Sequence, residues 1–273
     1  MTVHLSHRSG GVALIALNGI TWRREDRDIL QGIDLHIRKG EHWVILGRNG
    51  SGKTTLLEMI NGYQFPTSGT VDVLGYRYGR VDVREVRRNI GYISQSMVEK
   101  LTLADPVWEI VATGEYAFLR FYQAIDPAVI AKARAMLTDM GIGHLADQPF
   151  GVLSQGERKK VLLVRALMAE PELLIMDEPC AGLDLYEREK LLAELNRLGG
   201  RRMTILYVTH HIEEIVPLFT HVALVHNGKI AAAGLKREVL TGDILGEAYE
   251  LPVEVDWIHE RPWIRVAPVG AGA

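Results

Sequence analysis

The feature that most constrains this chain is a glycine-rich segment between an apolar run and a helical run. Residues 47–54 read Gly-Arg-Asn-Gly-Ser-Gly-Lys-Thr, which fits G-x-x-x-x-G-K-[ST], and they follow the apolar residues 43–46. Glycines allow positive φ and a close approach of the backbone to an anion. The positive end of the dipole of the following helix, residues 54–60, lies at the same point. A strand, a glycine-rich turn and a helix in this order predict a phosphate-binding loop.

The residue types in this loop suit a nucleoside triphosphate together with Mg²⁺. Lys53 is suited to reach the β- and γ-phosphates, and the hydroxyl of Thr54 is suited to ligate Mg²⁺. The alternative, a glycine-rich loop with a surface lysine, is disfavoured by the flanking strand and helix. The predicted nucleotide-binding residues of the loop are Gly47, Asn49, Gly50, Ser51, Gly52, Lys53, Thr54 and Thr55.

Length, charge and cysteine usage narrow the class of protein. A chain of 273 residues can form one large α/β domain or a domain with a subdomain, and a net charge of −3 gives no reason to expect nucleic acid as the main partner. The single cysteine, Cys180, excludes an intramolecular disulfide and fits a reducing compartment. Residues 1–8 lack the pattern of a secretory signal, and no apolar run approaches the roughly 20 residues that cross a bilayer. We therefore expect a cytosolic protein whose membrane part, if it has one, is supplied by other chains.

The remaining pattern alternates strands and helices, as in an α/β fold. Period-two alternation and short apolar runs predict strands, and a period of 3.6 predicts helices. The predicted strands are residues 11–17, 33–37, 43–46, 70–74, 90–93, 173–176 and 204–209, with hairpins at 222–225/229–233 and 252–258/263–266. The predicted helices include residues 128–137, which begin after Asp126-Pro127, and residues 187–197.

Two carboxylates follow the predicted buried strand at residues 173–176. Asp177 and Glu178 come at its carboxyl end, where ligands bind in open α/β sheets. Phosphoryl transfer needs mainly positioning and charge neutralisation. Asp177 is therefore a candidate ligand of Mg²⁺, directly or through water, and Glu178 is a candidate base for the attacking water. The alternative is a solvated acidic turn after a core strand.

Further motifs make the chain resemble a known family. The run Leu153-Ser154-Gln155-Gly156-Glu157 resembles the signature L-S-[GQ]-G-[EQ] of ATP-binding cassette (ABC) ATPases. Gln95 resembles the Q-loop glutamine of that family, residues 181–184 resemble its D-loop, and His210 resembles its switch histidine. The motifs stand in the family's order, and the resemblance covers residues from about 11 to 240.

The resemblance implies a fold and a division into domains. It implies a P-loop NTPase mixed sheet with an N-terminal antiparallel β region and an inserted α-helical subdomain. Residues 1–94 and 166–240 would form the ATP-binding core, and residues 95–165 the helical signature subdomain. Residues 241–273 lie beyond the resemblance, and alternation at residues 252–258 and 263–266 predicts that they form a C-terminal extension with a β-hairpin that covers sheet surface or helps subunit contact.

The resemblance also implies roles for individual residues. Glu178, His210 and Gln95 would be catalytic, and Thr54, Gln95 and Asp177 would hold the metal. Ser154 and Gly156 would face the γ-phosphate bound by a second subunit, and Asp184 would also contact nucleotide. Each role has an ordinary structural alternative. By its local pattern alone, Ser154 could equally be a helix N-cap in a capping box with Glu157. A glutamine after a strand is usually a surface residue, a histidine ending a strand is more often a structural cap, and His211 competes with His210.

Three positions depart from the pattern or add to it. The family stacks an aromatic residue on adenine; the usual position falls near Arg24, but the nearby aromatic is Trp22, and we expect Trp22 to make the contact. Cys180 replaces a small hydroxyl residue and is expected to be a buried filler, with a redox switch as the alternative. The basic run 158–160 is expected to be a solvated helix face.

The combined prediction is an ATP-hydrolysing subunit of a membrane ABC transporter, of import type. It would work as an ATP-sandwich homodimer with ATP and Mg²⁺, bound to transmembrane permease subunits at the inner face of the cell membrane, together with a substrate-binding protein. The alternative is a soluble ABC ATPase with a regulatory, repair or assembly role. Chromosome-type members carry a very long coiled coil between the phosphate loop and the signature, and the helical insert of this chain is too short for one. Translation-type members generally have two cassettes in one chain, and this chain has one. An ordinary P-loop kinase would leave residues 153–157 unexplained, and the transported substrate is not encoded in this chain.

Overall fold

The structure, a computed structural model, describes residues 13–266 of the chain. Its strands are β1 (Ala13–Arg24), β2 (Arg27–Arg38), β3 (Trp43–Leu46), β4 (Ser68–Val73), β5 (Tyr76–Arg77), β6 (Ile90–Ile93), β7 (Leu173–Asp177), β8 (Thr204–Thr209), β9 (His221–His226), β10 (Lys229–Leu235), β11 (Val253–Ile258) and β12 (Arg261–Val266). Its α-helices are α1 (Lys53–Ile60), α2 (Val83–Arg87), α3 (Gln95–Val98), α4 (Val107–Ala112), α5 (Pro127–Asp139), α6 (Gln155–Leu167), α7 (Leu185–Leu198), α8 (Lys236–Val239) and α9 (Gly242–Tyr249). The start of the first predicted strand, residues 11 and 12, and the segment considered for a signal, residues 1–8, lie outside the described residues.

The chain divides into two compact units. The first unit comprises residues 1–83 and 204–273, and the second comprises residues 84–203. These boundaries follow the packing of the chain. The division by role into an ATP-binding core, a helical signature subdomain and a C-terminal extension stays a prediction.

The first unit contains an antiparallel sheet in the order β2-β1-β4-β5. Strand β1 pairs with β2 on one side and with β4 on the other. Both β1 and β2 have 12 residues and are longer than the strands predicted from alternation. The reason is a series of register shifts along the β1–β2 pair, which interrupt the period of two while the strands stay paired.

The first unit also contains strands in the order β10-β9-β3-β8, with β3 parallel to both β8 and β9. Every residue of β3 and β8 is buried, as expected for continuous apolar runs in strands covered on both faces. The predicted hairpin of β9 and β10 is present. Its turn residues Asn227 and Gly228 have φ values of 48° and 73°, the conformation that a two-residue hairpin turn of this sequence requires.

The second unit combines a parallel pair of strands with helices. Strands β6 and β7 are parallel, with Ile93 opposite Met176. Helix α5 begins as predicted, because Asp126 caps it and Pro127 occupies its first turn. In α6 every residue from Val161 to Leu167 is buried, so this helix lies inside the unit rather than on its surface.

The C-terminal part of the first unit ends in the hairpin that the sequence predicts. Strands β11 and β12 pair antiparallel from Val253 opposite Val266 to Ile258 opposite Arg261. We call residues 253–266 the C-terminal hairpin. Across residues 13–266, no helix is both long enough and apolar enough to cross a membrane.

Candidate functional site

The predicted phosphate loop joins β3 to α1 in the first unit. Gly52 is the N-cap of α1 with a φ of 104°, a left-handed conformation that glycine adopts without a Cβ clash. No side chain caps the helix. The first N–H groups of α1 and the positive end of its dipole therefore face the loop without a competing side-chain acceptor, which is the arrangement of an anion site.

Two glycines let the loop pack closely against neighbouring strands of the same unit. A Cβ on Gly47 would lie 2.3 Å from the carbonyl oxygen of Val225 and 2.8 Å from Ser51 Oγ. A Cβ on Gly52 would lie 2.7 Å from Leu30 Cδ2. The loop therefore packs between β9 and β2. Gly47 needs glycine for its close approach to a backbone carbonyl, whereas Gly52 needs it for its φ of 104°, since the end of the Leu30 side chain can shift.

Polar groups inside the loop suit a phosphate. Lys53 is buried, and its Nζ donates to the carbonyl oxygens of Gly47 at 2.8 Å and Arg48 at 3.0 Å. The hydroxyl of Ser51 is buried and has no hydrogen-bond partner among the described residues. A buried donor of this kind fits a bound phosphate oxygen. Asn49, Gly50 and Thr54 are exposed, and Thr55 is partly buried.

Trp22 and Arg24, the candidates for the adenine contact, both lie on β1. Trp22 is partly buried and stands opposite Leu30 in the β1–β2 register, the residue that contacts the Gly52 position of the loop. Arg24 is exposed and stands opposite Arg27, at the end of the strand pair. Because its partner in the register, Leu30, adjoins the loop, Trp22 is nearer to the loop along the sheet than Arg24 is. Its contact with adenine stays a prediction.

His210 directly follows β8 and is partly buried, while His211 is exposed. The two rings lie 4.1 Å apart between centroids. The backbone N–H of His211 donates to Thr209 Oγ1 at 3.0 Å, and its Nδ1 lies 3.5 Å from Glu213 Oε1. A short 3₁₀ turn, Ile212–Glu214, follows.

A buried carboxylate that the sequence does not predict fixes this turn. Glu214 accepts hydrogen bonds from the hydroxyls of Thr209 at 2.7 Å and Tyr207 at 2.8 Å, and its side chain is buried. The chain that leaves β8 is thereby bonded back to the strand. The only sign of this contact in the sequence is an acidic residue five places after a threonine. That spacing does not predict a hydrogen bond unless the fold is already known.

Asp177 and Glu178 lie in the second unit. Asp177 is the last residue of β7, and Glu178 follows it with a φ of 45°, in the left-handed region that non-glycine residues rarely adopt. Both are partly buried, and the carbonyl oxygen of Glu178 accepts from the N–H of Ala181 at 3.1 Å. The predicted base therefore sits in a tight turn, with a backbone conformation that clusters at functional sites.

Gln95 is the first residue of α3 and is exposed, with Ser94 as the N-cap. Helix α3 is joined to the rest of the second unit by Arg165, a residue that no sequence motif marks. Arg165 is buried in α6; its Nε donates to Thr113 Oγ1 at 2.9 Å and its Nη2 to the carbonyl oxygen of Phe118 at 2.6 Å. Its Nη1 lies 3.0 Å from Met97 Sδ in α3.

The signature residues begin α6 with a capping box. The N–H of Ser154 donates to Glu157 Oε2 at 2.8 Å, the Ser154 hydroxyl donates to the same oxygen at 2.7 Å, and the N–H of Glu157 donates to Ser154 Oγ at 3.3 Å. These bonds from the side chain and then the backbone of Ser154 lower the pKa of the Glu157 carboxyl. Ser154 is therefore the N-cap of α6 in a capping box and is also exposed, and its contact with a nucleotide stays a prediction.

The start of α6 adjoins the start of α7 within the second unit. A Cβ on Gly156 would lie 2.3 Å from Glu187 Oε2, and a Cβ on Gly182 would lie 3.8 Å from Gln155 Oε1. Asp184 caps α7 by accepting from the N–H of Glu187 at 2.9 Å. The structure thus brings the predicted signature residues and Asp184 to one place.

One expectation for this region was wrong. Residues 158–160 do not form a solvated face, because Lys159 is only 6% exposed, and burial lowers the pKa of its ammonium group. The reason is that α6 runs through the core of the unit. Cys180 is buried, as expected for a small filler.

No group of three or more histidine, cysteine, aspartate or glutamate side chains that could hold a metal ion occurs within residues 13–266. A magnesium ion would instead rely on few protein ligands plus phosphate oxygens, which is how Mg²⁺ is usually held at nucleotide sites. The hydroxyl of Thr54 and the carboxylate of Asp177 are oxygen ligands of the right type. The assignment of Thr54, Gln95 and Asp177 to this ion stays a prediction.

Comparisons with known proteins agree with these motifs. The profile of the family described as "ABC transporter" matches residues 30–181. The uncharacterised ABC transporter ATP-binding protein YlmA of Bacillus subtilis is 40% identical over 260 residues, which cover 94% of this chain and 98% of that protein. The cobalt import ATP-binding protein CbiO of Rhodobacter capsulatus is 37% identical over 214 residues, covering 78% of this chain and 75% of that protein.

A solved structure shares the fold. A putative metal-chelate type ABC transporter in an inward-facing conformation superposes with a TM-score of 0.76 at 24% identity, covering 94% of this chain and 98% of the matched chain. The predicted fold class, a mixed α/β cassette with an antiparallel N-terminal β region and helices, is confirmed. By the family profile and the length of its match to YlmA, the chain belongs to the ABC transporter family as an ATP-binding subunit, the ATPase of such a transporter.

Proposed function

We propose that this subunit hydrolyses ATP as one half of a dimer and drives import through a membrane permease. The observation that carries the proposal is the phosphate loop, in which buried Lys53 and Ser51 present donors beside an uncapped helix start. This loop occurs in a chain that is 40% identical to an ABC transporter ATP-binding protein over nearly its whole length.

In this proposal the loop holds the triphosphate through backbone N–H groups, Lys53 and Ser51, with Trp22 against the adenine. Mg²⁺, when bound through Thr54 and Asp177, would neutralise charge on the phosphates. Glu178 orients and deprotonates the attacking water. Gln95 and His210 complete the set as polar contacts to water and to the γ-phosphate.

The surface around the signature supports a dimer. Ser154 and Asp184 are exposed, and three large apolar side chains near them in the sequence are exposed as well: Val152 at 69%, Leu185 at 66% and Tyr186 at 65%. Large apolar side chains clustered on a surface mark interaction sites. We propose that a second copy of this chain covers them and that Ser154, Gly156 and Asp184 then face the nucleotide of that copy.

A second exposed cluster in the second unit suits the permease. Tyr116, Phe118 and Phe121 contact one another, with ring centroids 5.6–6.1 Å apart, and Tyr122 beside them is 91% exposed. This cluster follows α4, and Arg165 joins Phe118 to the helix that begins with Gln95. We propose that a permease subunit binds here, so that movement around Gln95 reaches the membrane protein. The subunit would then lie at the inner face of the membrane without crossing it.

The direction of transport is proposed to be import. The support is the similarity to the cobalt import protein CbiO. The substrate and a substrate-binding protein would be properties of the partner chains.

The test uses Glu178→Gln, which removes the base but keeps the shape of the side chain. The variant should lose ATP turnover and form a dimer with ATP and Mg²⁺ that light scattering detects, whereas the wild type returns to monomer as ATP is consumed. Glu85→Gln, an exposed glutamate on α2, is the matched control and should behave as the wild type. A Glu178→Gln protein that stays monomeric with saturating ATP and Mg²⁺ would refute the sandwich dimer.

The permease contact has a separate test. Tyr122→Ser should reduce co-purification of the subunit with cell membranes while leaving the ATPase activity of the purified protein unchanged. Tyr63→Ser, an exposed tyrosine of the first unit, is the control. Equal membrane association of all three proteins would place the permease contact elsewhere.

A further inference from the structure

The C-terminal hairpin is firmly joined to the helix that precedes it. Lys236 Nζ in α8 donates to the carbonyl oxygen of Glu260 at 2.9 Å, and Arg237 forms an ion pair with the Glu260 carboxylate at 2.5 Å. The guanidinium of Arg237 also lies 4.4 Å from the ring centroid of Trp257. Contacts to backbone, carboxylate and ring fix the hairpin in one orientation relative to α8.

From this position the hairpin reaches the turn that follows His210. Arg261, the first residue of β12, is partly buried, and its Nε donates a short hydrogen bond to the carbonyl oxygen of Glu213. The guanidinium lies 5.2 Å from the ring centroid of Trp263, which limits its freedom. Glu213 belongs to the 3₁₀ turn Ile212–Glu214.

Short contacts lead from this turn back to His210. The Glu213 carboxylate lies 3.5 Å from His211 Nδ1, and the His211 ring lies 4.1 Å from the His210 ring. On the other side of Glu213, the Glu214 carboxylate is bonded to Thr209, the residue before His210. Displacement of the Glu213 carbonyl would therefore shift both the backbone and the ring of His210.

A tyrosine of the same C-terminal region lies in the field of two charged residues, one in the phosphate loop and one in the turn after His210. The hydroxyl of Tyr249, the last residue of α9, is buried and has no hydrogen-bond partner among the described residues. Burial raises the pKa of Tyr249 to about 12, and the charges of Arg48 in the loop and of Glu213 act on it. Tyr249 thus senses charge in the loop and in the turn, while the direct contact of the segment from α8 to β12 with the turn is the bond from Arg261 to Glu213.

We propose that Arg261 is a positioning residue for ATP hydrolysis: by holding the carbonyl of Glu213, it fixes the turn that orients His210. The proposal rests on the proposed role of His210 at the γ-phosphate. It gives the C-terminal hairpin a function in the hydrolysis step rather than in covering sheet surface. Arg261 acts through His210 and contacts no reactant itself.

The experiment compares ATPase kinetics of Arg261→Ala with those of Arg265→Ala. Arg265 lies on the same strand, but its ion pairs with Asp256 and Glu254 stay inside the hairpin. A small misplacement of a catalytic group can cost up to about a hundredfold in rate. We expect Arg261→Ala to lower kcat about tenfold with the KM for ATP within about twofold of wild type, and Arg265→Ala to match the wild type in both.

Two further variants separate positioning from general loss of structure. Arg261→Lys keeps a cationic donor and should recover most of the lost kcat; it also serves as the test if the alanine variant fails to fold. In a His210→Ala background, Arg261→Ala should lower kcat no further, because both changes remove the same contribution. Independent effects that multiply, a change confined to KM, or equal losses in the two arginine variants would each overturn the proposal. A wild-type protein without ATPase activity would instead refute the proposed function.

Discussion

Ser154 gives the sharpest test of the site, because the structure assigns it one role and the family resemblance implies another. It caps α6, and it is also the predicted contact to the γ-phosphate of a partner subunit. The two roles respond differently to substitution. Ser154→Ala removes both, whereas Ser154→Asn keeps an N-cap, since asparagine and serine are about equal at this position.

The capping contribution can be estimated from the bonds in the structure. Ser154→Ala removes two exposed bonds, the long one of 3.3 Å from the N–H of Glu157 and the one of 2.7 Å from the Ser154 hydroxyl to the Glu157 carboxylate. The 2.8 Å bond from the backbone N–H of residue 154 to Glu157 survives in the alanine variant. We therefore expect Ser154→Ala to cost only the lower part of the range for a lost cap, about 0.5–1 kcal/mol. This corresponds to a Tm lower by about 1–4 °C.

The catalytic contribution is expected to be larger. Removal of one hydrogen-bond donor that stabilises the charge developing in a transition state lowers kcat by a factor of about 10²–10³. Ser154→Asn should therefore keep the wild-type Tm and lose ATPase activity by such a factor. Asp126→Ala, which removes the N-cap of α5 in the same unit, should lower Tm and keep kcat. Thermal unfolding and steady-state ATPase assays on the four proteins decide the matter. An asparagine variant within about twofold of the wild-type kcat would show that Ser154 is a cap and nothing more.

Three further predictions concern stability and binding. Gly52→Ala should abolish ATP binding and lower Tm, because its φ is 104° and its Cβ would lie 2.7 Å from Leu30 Cδ2. Gly50→Ala has open space around its Cβ and only a positive φ of 79°, so it should lower the free energy of unfolding by about 1 kcal/mol and keep Tm within a few degrees of wild type. Calorimetry of both variants checks this prediction. Arg165→Met should lower the free energy of unfolding by about 3 kcal/mol or more and Tm by roughly 10 °C, because the acceptors of a buried cation lose their hydrogen bonds. Arg197→Met, at a surface arginine, is the control, and an equally small loss in both variants would contradict the prediction. Glu157 has a lowered pKa in the folded chain, so its stabilisation is present above the unfolded value of about 4.3 and is lost as the pH falls through the folded value. Glu157→Gln should therefore lower Tm at pH 6 and leave it closer to wild type at pH 3, as unfolding curves at the two pH values would show.

The parts of the fold that could be predicted are those encoded by neighbouring residues. The apolar runs of β3, β7 and β8 predict buried strands because a short, continuous apolar segment has few other stable positions. The Asn227-Gly228 turn specifies its hairpin, because both residues tolerate positive φ. The full lengths of β1 and β2 could not be predicted, because their register shifts depend on the partner strands.

The candidate site shows the same division. The loop at residues 47–54 follows from local sequence and was predicted, and the cap at Ser154 was one of two alternatives that the local pattern left open. The burial of Lys159 was not, because the local pattern of charges gives no sign that the whole circumference of α6 is covered. Arg165 and Glu214 were missed because each acts through partners that no spacing in the chain encodes.

Residues found by local motifs and residues that act through distant packing contribute differently to the chemistry of this family. The motif residues are recognisable because every member must bind the same triphosphate, so a short local pattern is enough to find them. Groups that hold those residues in place can come from any segment that packs nearby. Arg261 lies about fifty residues beyond His210, in a hairpin outside the resemblance, yet it is bonded to the turn that follows that histidine. If the Arg261 variants lower kcat through His210, the rate of hydrolysis in this protein depends on a contact that the nucleotide-binding motifs alone would not reveal.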